Sequence, residues 1–104
     1  SNREFHKGID IACRSGNIVR APADGIVSEV ANRHDLGNYV MIDHFKGMQT
    51  VYAHLLRAAV IEGKRIKRGD IIGYVGNSGR STGSHLHYSV YLNGIAVNPR
   101  KYLN

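Results

Sequence analysis

Short runs of β-branched residues recur along the whole chain, cut by glycines and turn dipeptides, and no long stretch holds apolar residues at helical spacing. "GNIVRAP" and "ADGIVSEVA" read as strands around Pro22 and Gly25. "GNYVMIDHF" reads as a strand after a Gly37-Asn38 turn, and "MQTVYAHLL" follows across "KGM" as its hairpin partner. "RIKRGDIIGYVGNSG" gives a turn at Gly69-Asp70 and then another strand. "SHLHYSVYLNGIAVNP" gives a strand, an Asn93-Gly94 turn and a short return; Asn-Gly is the strongest short-range hairpin signal. "LLRAAVIEG" has room for a turn or two of helix at most. The pattern predicts an all-β, mostly antiparallel sandwich or barrel-like sheet.

The 104 residues suffice for one domain with a modest core. No composition shift or low-complexity stretch divides residues 1–104, so one domain is expected. Twelve glycines against two prolines fit a chain of tight turns. No run approaches the roughly 20 apolar residues of a membrane span. "IVRAPADGIVSEV" and "RIKRGDIIGYVG" echo each other as halves of a biotinyl/lipoyl-type barrel-sandwich pattern. The "DKA" or "MKM" tripeptide that would carry a swinging cofactor is absent, so the echo speaks to fold and not to function.

Lys and Arg number 14 against 8 acids, a formal charge of +6 with His neutral. A basic domain meets nucleic acid, an anionic lipid surface or an anionic wall polymer. The densest run, "EGKRIKRGD", holds Lys64, Arg65, Lys67 and Arg68; charge runs of this kind are mostly solvated hairpins. It has no interleaved aromatic, although Tyr74 follows, so nucleic acid is not an expected partner. The single cysteine, Cys13, forms no internal disulfide and no thiolate zinc site; its apolar neighbours predict a buried structural role.

The histidines carry the chemistry. In "SHLHYSVYL", strand alternation puts His85, His87, Ser89 and Tyr91 on one face and Leu86, Tyr88, Val90 and Leu92 on the other. Two imidazoles about 6–7 Å apart at the backbone then share one polar space. "FHKGIDI" contains His6 and Asp10, an imidazole and a carboxylate suited to zinc. In "VYAHLL", alternation predicts that His54 shares a face with Tyr52. Each element alone is weak: H-x-H pairs occur on surfaces, H-x-x-x-D arises by chance, and a lone histidine is most often structural. Together, two histidines and one aspartate make a tripod that leaves zinc's fourth position open for water, and two further histidines remain for acid–base or oxyanion work. No H-E-x-x-H is present, so a glutamate base of that kind is absent.

The ordered set "HKGIDI", "APADGIV", "GNYVMIDH", "VYAHL" and "GNSGRSTGSHLHYSV…NP" resembles the lysostaphin/LytM-type zinc metallopeptidases, the M23 family, from His6 to about Pro99. The resemblance implies an antiparallel β fold of duplicated-hybrid, barrel-sandwich-like type with an open groove over Zn2+. It implies zinc ligands at His6, Asp10 and His87 and catalytic histidines at His54 and His85. His85 would be the general base and His54 the group that stabilises the oxyanion, with the two roles open to exchange. It implies a metalloendopeptidase acting on the cross-links or stem peptides of bacterial peptidoglycan, in the periplasm or at the cell surface. Peptidoglycan peptides are the expected partners, beside other cell-wall proteins, and the chain reads as the catalytic piece of a longer envelope protein. The histidine ligands must be neutral to bind, so metal loss at low pH is expected. Ser89 stands where many members have Glu, which bears on how the last histidine is oriented.

Non-catalytic LytM-type modules that activate a cell-wall amidase are the alternative. They typically lack the zinc ligands, and this chain keeps the full set. His34 is expected to face solvent, and His44 to make a structural hydrogen bond beside Asp43. Asn38, Ser81 and Thr82 are open to either substrate contact or turn chemistry.

Overall fold

The computed structural model describes residues 9–12, 14–76 and 85–99, and for Ile9–Ala12 and His85 the backbone alone. Among the described residues, nine strands follow in order: β1 (Ile9–Ala12), β2 (Ile18–Arg20), β3 (Gly25–Arg33), β4 (Gly37–Asp43), β5 (Met48–Ala58), β6 (Arg65–Ile66), β7 (Ile71–Val75), β8 (His85–Leu92) and β9 (Ile95–Val97). Every pairing is antiparallel. The sheet runs β1-β8-β5-β4-β3-β6, with β9 on β8 and with β7 pairing both β5 and β2. No α-helix occurs among the described residues.

The two segments that echo each other in sequence pair with each other in space. β2 pairs β7, and β3 pairs β6 at Gly25–Ile66 and Ile26–Arg65. This reciprocal pairing is the barrel-sandwich element foreseen from the repeat. The core fills the inside of the curled sheet with Ile42, Tyr52, Leu55, Ile72, Val40 and Val90, all nearly inaccessible to solvent.

"LLRAAVIEG" contributes no helix. β5 continues through Ala58 because Leu55, Arg57 and Ala58 find partners in Val75, Tyr74 and Gly73. Gly73 permits this close approach, since a Cβ there would lie 2.9 Å from the Arg57 carbonyl oxygen. The Asn93-Gly94 turn forms as expected, with φ of 53° and 81°, the left-handed pair that a two-residue hairpin needs. Cys13 lies outside the described residues.

Candidate functional site

β8 alternates as its sequence requires. Tyr88 and Val90 enter the core, and Leu86 packs against it. His87, Ser89 and Tyr91 line an open groove of about 530 Å³ on the opposite face. The other walls come from Tyr39 and Met41 on β4 and from Val51 and His54 on β5.

His54 departs from the alternation expected of it. It lies with Val51 in the groove and not with Tyr52 in the core. The register explains why. Val40 opposes Tyr52 while Asn38 opposes Leu55, so Ala53 and His54 together stand against the single residue Tyr39. This is a β-bulge, which re-aims a side chain by inserting one residue into a strand. His54 absorbs the insertion with a φ of 61°, a left-handed conformation uncommon outside glycine. Its amide donates to the Leu36 carbonyl at 2.8 Å, which ties the bulge to the loop between β3 and β4. The Asn38 side chain steadies the same region, donating to the Leu55 and Leu56 carbonyls at 3.1 Å and accepting from Asn32 at 2.8 Å. Turn chemistry alone therefore understates Asn38: its amide holds the strand that carries His54.

The bulge brings His54 to His87. Their ring centroids are 5.9 Å apart at an interplanar angle of 74°. His54 is 7% exposed, so its ring sits in the groove wall and not in open solvent. Ser89 is buried, and its Oγ lies 3.2 Å from His87 Nε2. The chain thus keeps a hydrogen-bonding group beside the ring, one able to fix its orientation.

The backbone places two further expected residues. Asp10 opposes His87 directly in the β1–β8 register, and Ala12 opposes His85. Opposed residues of an antiparallel pair belong to one sheet face, with Cβ atoms about 4.5–5.5 Å apart. Asp10 and His87 are therefore neighbours by register, and His85 lies two positions along β8 from His87. His6, Ser81 and Thr82 fall outside the described residues. Among the described residues, no cluster of three His, Cys, Asp or Glu is complete.

A second polar group supports the groove wall. Tyr39 is 3% exposed, and its hydroxyl meets Glu29 and Arg33. Burial raises its pKa, as do the hydrogen bond to Glu29 and that residue's negative charge, while Arg33 pulls it down. Arg33 also pairs with Asp35 at 3.6 Å. His44 is structural, as expected, but through other partners. Its Nδ1 meets the Asp24 carbonyl at 2.8 Å and its Nε2 meets Thr50 Oγ1 at 2.7 Å, which continues to the Tyr52 hydroxyl at 2.7 Å. Asp43 instead accepts from the Phe45 amide. His34 is exposed.

The antiparallel sheet curled around one core is similar to solved peptidase structures. A zinc-containing peptidase from Vibrio cholerae superimposes with a TM-score of 0.87 at 38% identity, over 89% of this chain and 29% of that one. The chain belongs to peptidase family M23, whose model matches residues 4–99. It is 48% identical over 95 residues to the DD-carboxypeptidase/endopeptidase Mpg of Neisseria meningitidis serogroup B, covering 91% of this chain and 22% of that relative. It is 43% identical over 95 residues to the peptidoglycan DD-endopeptidase ShyC of Vibrio cholerae, again 22% of that relative's length. The chain therefore spans a small part of the curated relatives it matches.

Proposed function

We propose that this chain is the catalytic domain, residues 1–104, of a longer bacterial envelope protein, and that it hydrolyses peptide bonds of peptidoglycan with a bound zinc ion. The observation that carries the reading is the His54–His87 pair in the groove, with Asp10 registered opposite His87. The names of the relatives support the substrate class, and the zinc-containing structural neighbour supports the metal.

The donor set fits zinc. His87 and Asp10 are an imidazole and a carboxylate on adjacent strands, and His6 supplies a second imidazole by the family motif. Bound there, zinc would lower the pKa of a coordinated water towards about 7 and polarise the scissile carbonyl. The chain's own residues do the rest. Ser89 Oγ sits at the Nε2 side of the His87 ring and would help orient it for a metal. His54, fixed by its bulge, offers a ring N–H to the oxygen on which negative charge develops. His85, two residues before His87, takes the water's proton. The open groove admits an extended peptide beside these groups.

The test is release of soluble peptides from purified peptidoglycan by the zinc-loaded chain. Release that stops with chelator and returns with zinc is the expected result. Zinc bound at one per chain with no peptide released would contradict the reading. A metal-free chain that stimulates a cell-wall amidase would replace it with the activator role.

A further inference from the structure

The basic run Lys64–Arg68 takes no part in the site described above, yet the fold brings it onto the same face of the sheet. Directly opposed residues form a continuous row across five neighbouring strands: Tyr91 to Gln49, Gln49 to Asp43, Asp43 to Ile26, and Ile26 to Arg65. The row begins in the histidine groove, which Tyr91 and Gln49 line, and ends at a second pocket of about 300 Å³. Arg65, Lys67, Phe45 and Ile26 line that pocket, with Asp24 beside them. Ile66, between the two cations, points into the core, so Arg65 and Lys67 alternate outward.

Three features distinguish this pocket from an ordinary solvated charge run. Among the described residues, none of Lys64, Arg65, Lys67 and Arg68 takes part in an ion pair, Arg33–Asp35 being the pair formed there. The nearby carboxylates are engaged by main-chain amides instead: Asp24 accepts from Arg68 N at 2.8 Å, and Asp70 from Lys67 N at 2.9 Å. Finally, Phe45 is 53% exposed and held there by a built loop. Its φ is 75°, its amide donates to Asp43 at 2.9 Å, and its carbonyl accepts from Met48 N at 3.0 Å. Phe45 thus presents an exposed apolar ring beside two cations.

We propose that this pocket is a second substrate subsite, in which Arg65 and Lys67 hold a carboxylate of the wall polymer while the histidine groove works on a distant bond of the same polymer. The proposal rests on peptidoglycan being the substrate. Four strand spacings separate Tyr91 from Arg65, about 19 Å along the sheet, and His87 lies about 13 Å further along β8. An extended peptide must be on the order of six residues long to bridge the 19 Å span alone. The subsite therefore serves the polymer and is out of reach for a short peptide cut in the groove.

The experiment compares the chain with its Arg65→Gln/Lys67→Gln variant and with a charge-matched control, Arg14→Gln/Arg57→Gln. Co-sedimentation with purified sacculi at rising NaCl measures binding. Peptide release from sacculi and from a short soluble cross-linked peptide measures activity. The subsite variant should bind sacculi about threefold to tenfold more weakly at low salt, the weight of two exposed ion pairs, and the difference should fade as salt rises. KM on sacculi should rise with kcat unchanged, and the short peptide should be cut at the parent rate. Equal losses in the control, or no loss in the subsite variant, would overturn the proposal. So would tighter retention of duplex DNA than of sacculi through the same two residues. Sedimentation needs no catalysis, so the two readings fail separately. Binding that depends on Arg65 and Lys67 without hydrolysis sinks the hydrolase, and hydrolysis of sacculi indifferent to them sinks the subsite.

Discussion

Strands β5 and β8 carry two aromatic pairs side by side, one on each face of the sheet. Tyr52 and Tyr88 oppose each other in register and pack tilted against each other in the core, with ring centroids 5.4 Å apart. His54 and His87 meet in the groove at 5.9 Å, but they are not register partners: Ala53 opposes His87. The tyrosine pair follows from regular strands. The histidine pair exists because β5 spends one extra residue and accepts a left-handed φ at His54. Strained backbone of this kind persists where the surroundings over-determine it, and it concentrates at functional sites. Here Leu36 and Asn38 supply that support. The core face thus stabilises, while the groove face keeps its histidine pair at some cost in stability.

The comparison breaks most visibly if the two faces are truncated in turn. Tyr52→Ala should cost about 3–5 kcal/mol in chemical denaturation, as loss of a large buried side chain does. His54→Asn keeps a residue that tolerates the left-handed region, so the fold should hold by circular dichroism. Peptide release should nonetheless fall by about 100-fold or more, the weight of a positioned catalytic group. Equal losses of stability in both variants would erase the distinction between the faces.

A smaller effect separates the two core-side hydroxyls. Thr50 links the half-buried His44 to the buried Tyr52, so Thr50→Val strands the Tyr52 hydroxyl and should cost about 1–3 kcal/mol while leaving peptide release intact. The Tyr88 hydroxyl is buried and has no hydrogen-bond partner among the described residues. Tyr88→Phe should therefore change stability at neutral pH by less than about 1 kcal/mol.

Alkaline titration sharpens the same contrast. Burial pushes the Tyr88 phenol up to about 12, and burial raises Tyr52 as well. Above the ordinary value of about 10, the unfolded chain releases protons that the folded chain keeps, so stability falls as pH rises from about 10 towards 12. Tyr88→Phe should make that fall shallower, measured as the denaturation midpoint against pH. An unchanged slope would show that the phenol is not held in the core.

Much of this was legible in the sequence. The strand runs, the hairpin at Asn93-Gly94 and the inward–outward split of β8 all follow from period-2 patterning and turn chemistry. The echo of β2–β3 in β6–β7 points to the barrel-sandwich fold, but that the two segments pair with each other comes from the structure. Alternation puts His54 on the Tyr52 face because it assumes one residue against one, and nothing in "VYAHLL" marks the inserted residue. Ser89 beside His87 is legible from alternation, which puts both on one face, but Asn38 across β5 is not: its partners Leu55 and Leu56 are fixed by register and loop closure, not by neighbouring letters. His44 was read as structural, but its partners Asp24 and Thr50 come from other strands and loops.

The central claim is that His87 holds the metal while His54 works beside it. Zinc content by elemental analysis, read together with peptide release from sacculi, tests it on the parent, His87→Ala and His54→Asn. The expected result is one zinc per chain in the parent and in His54→Asn, little in His87→Ala, and hydrolysis in the parent alone. Full hydrolysis by His54→Asn, or zinc retained at parent stoichiometry by His87→Ala, would contradict it.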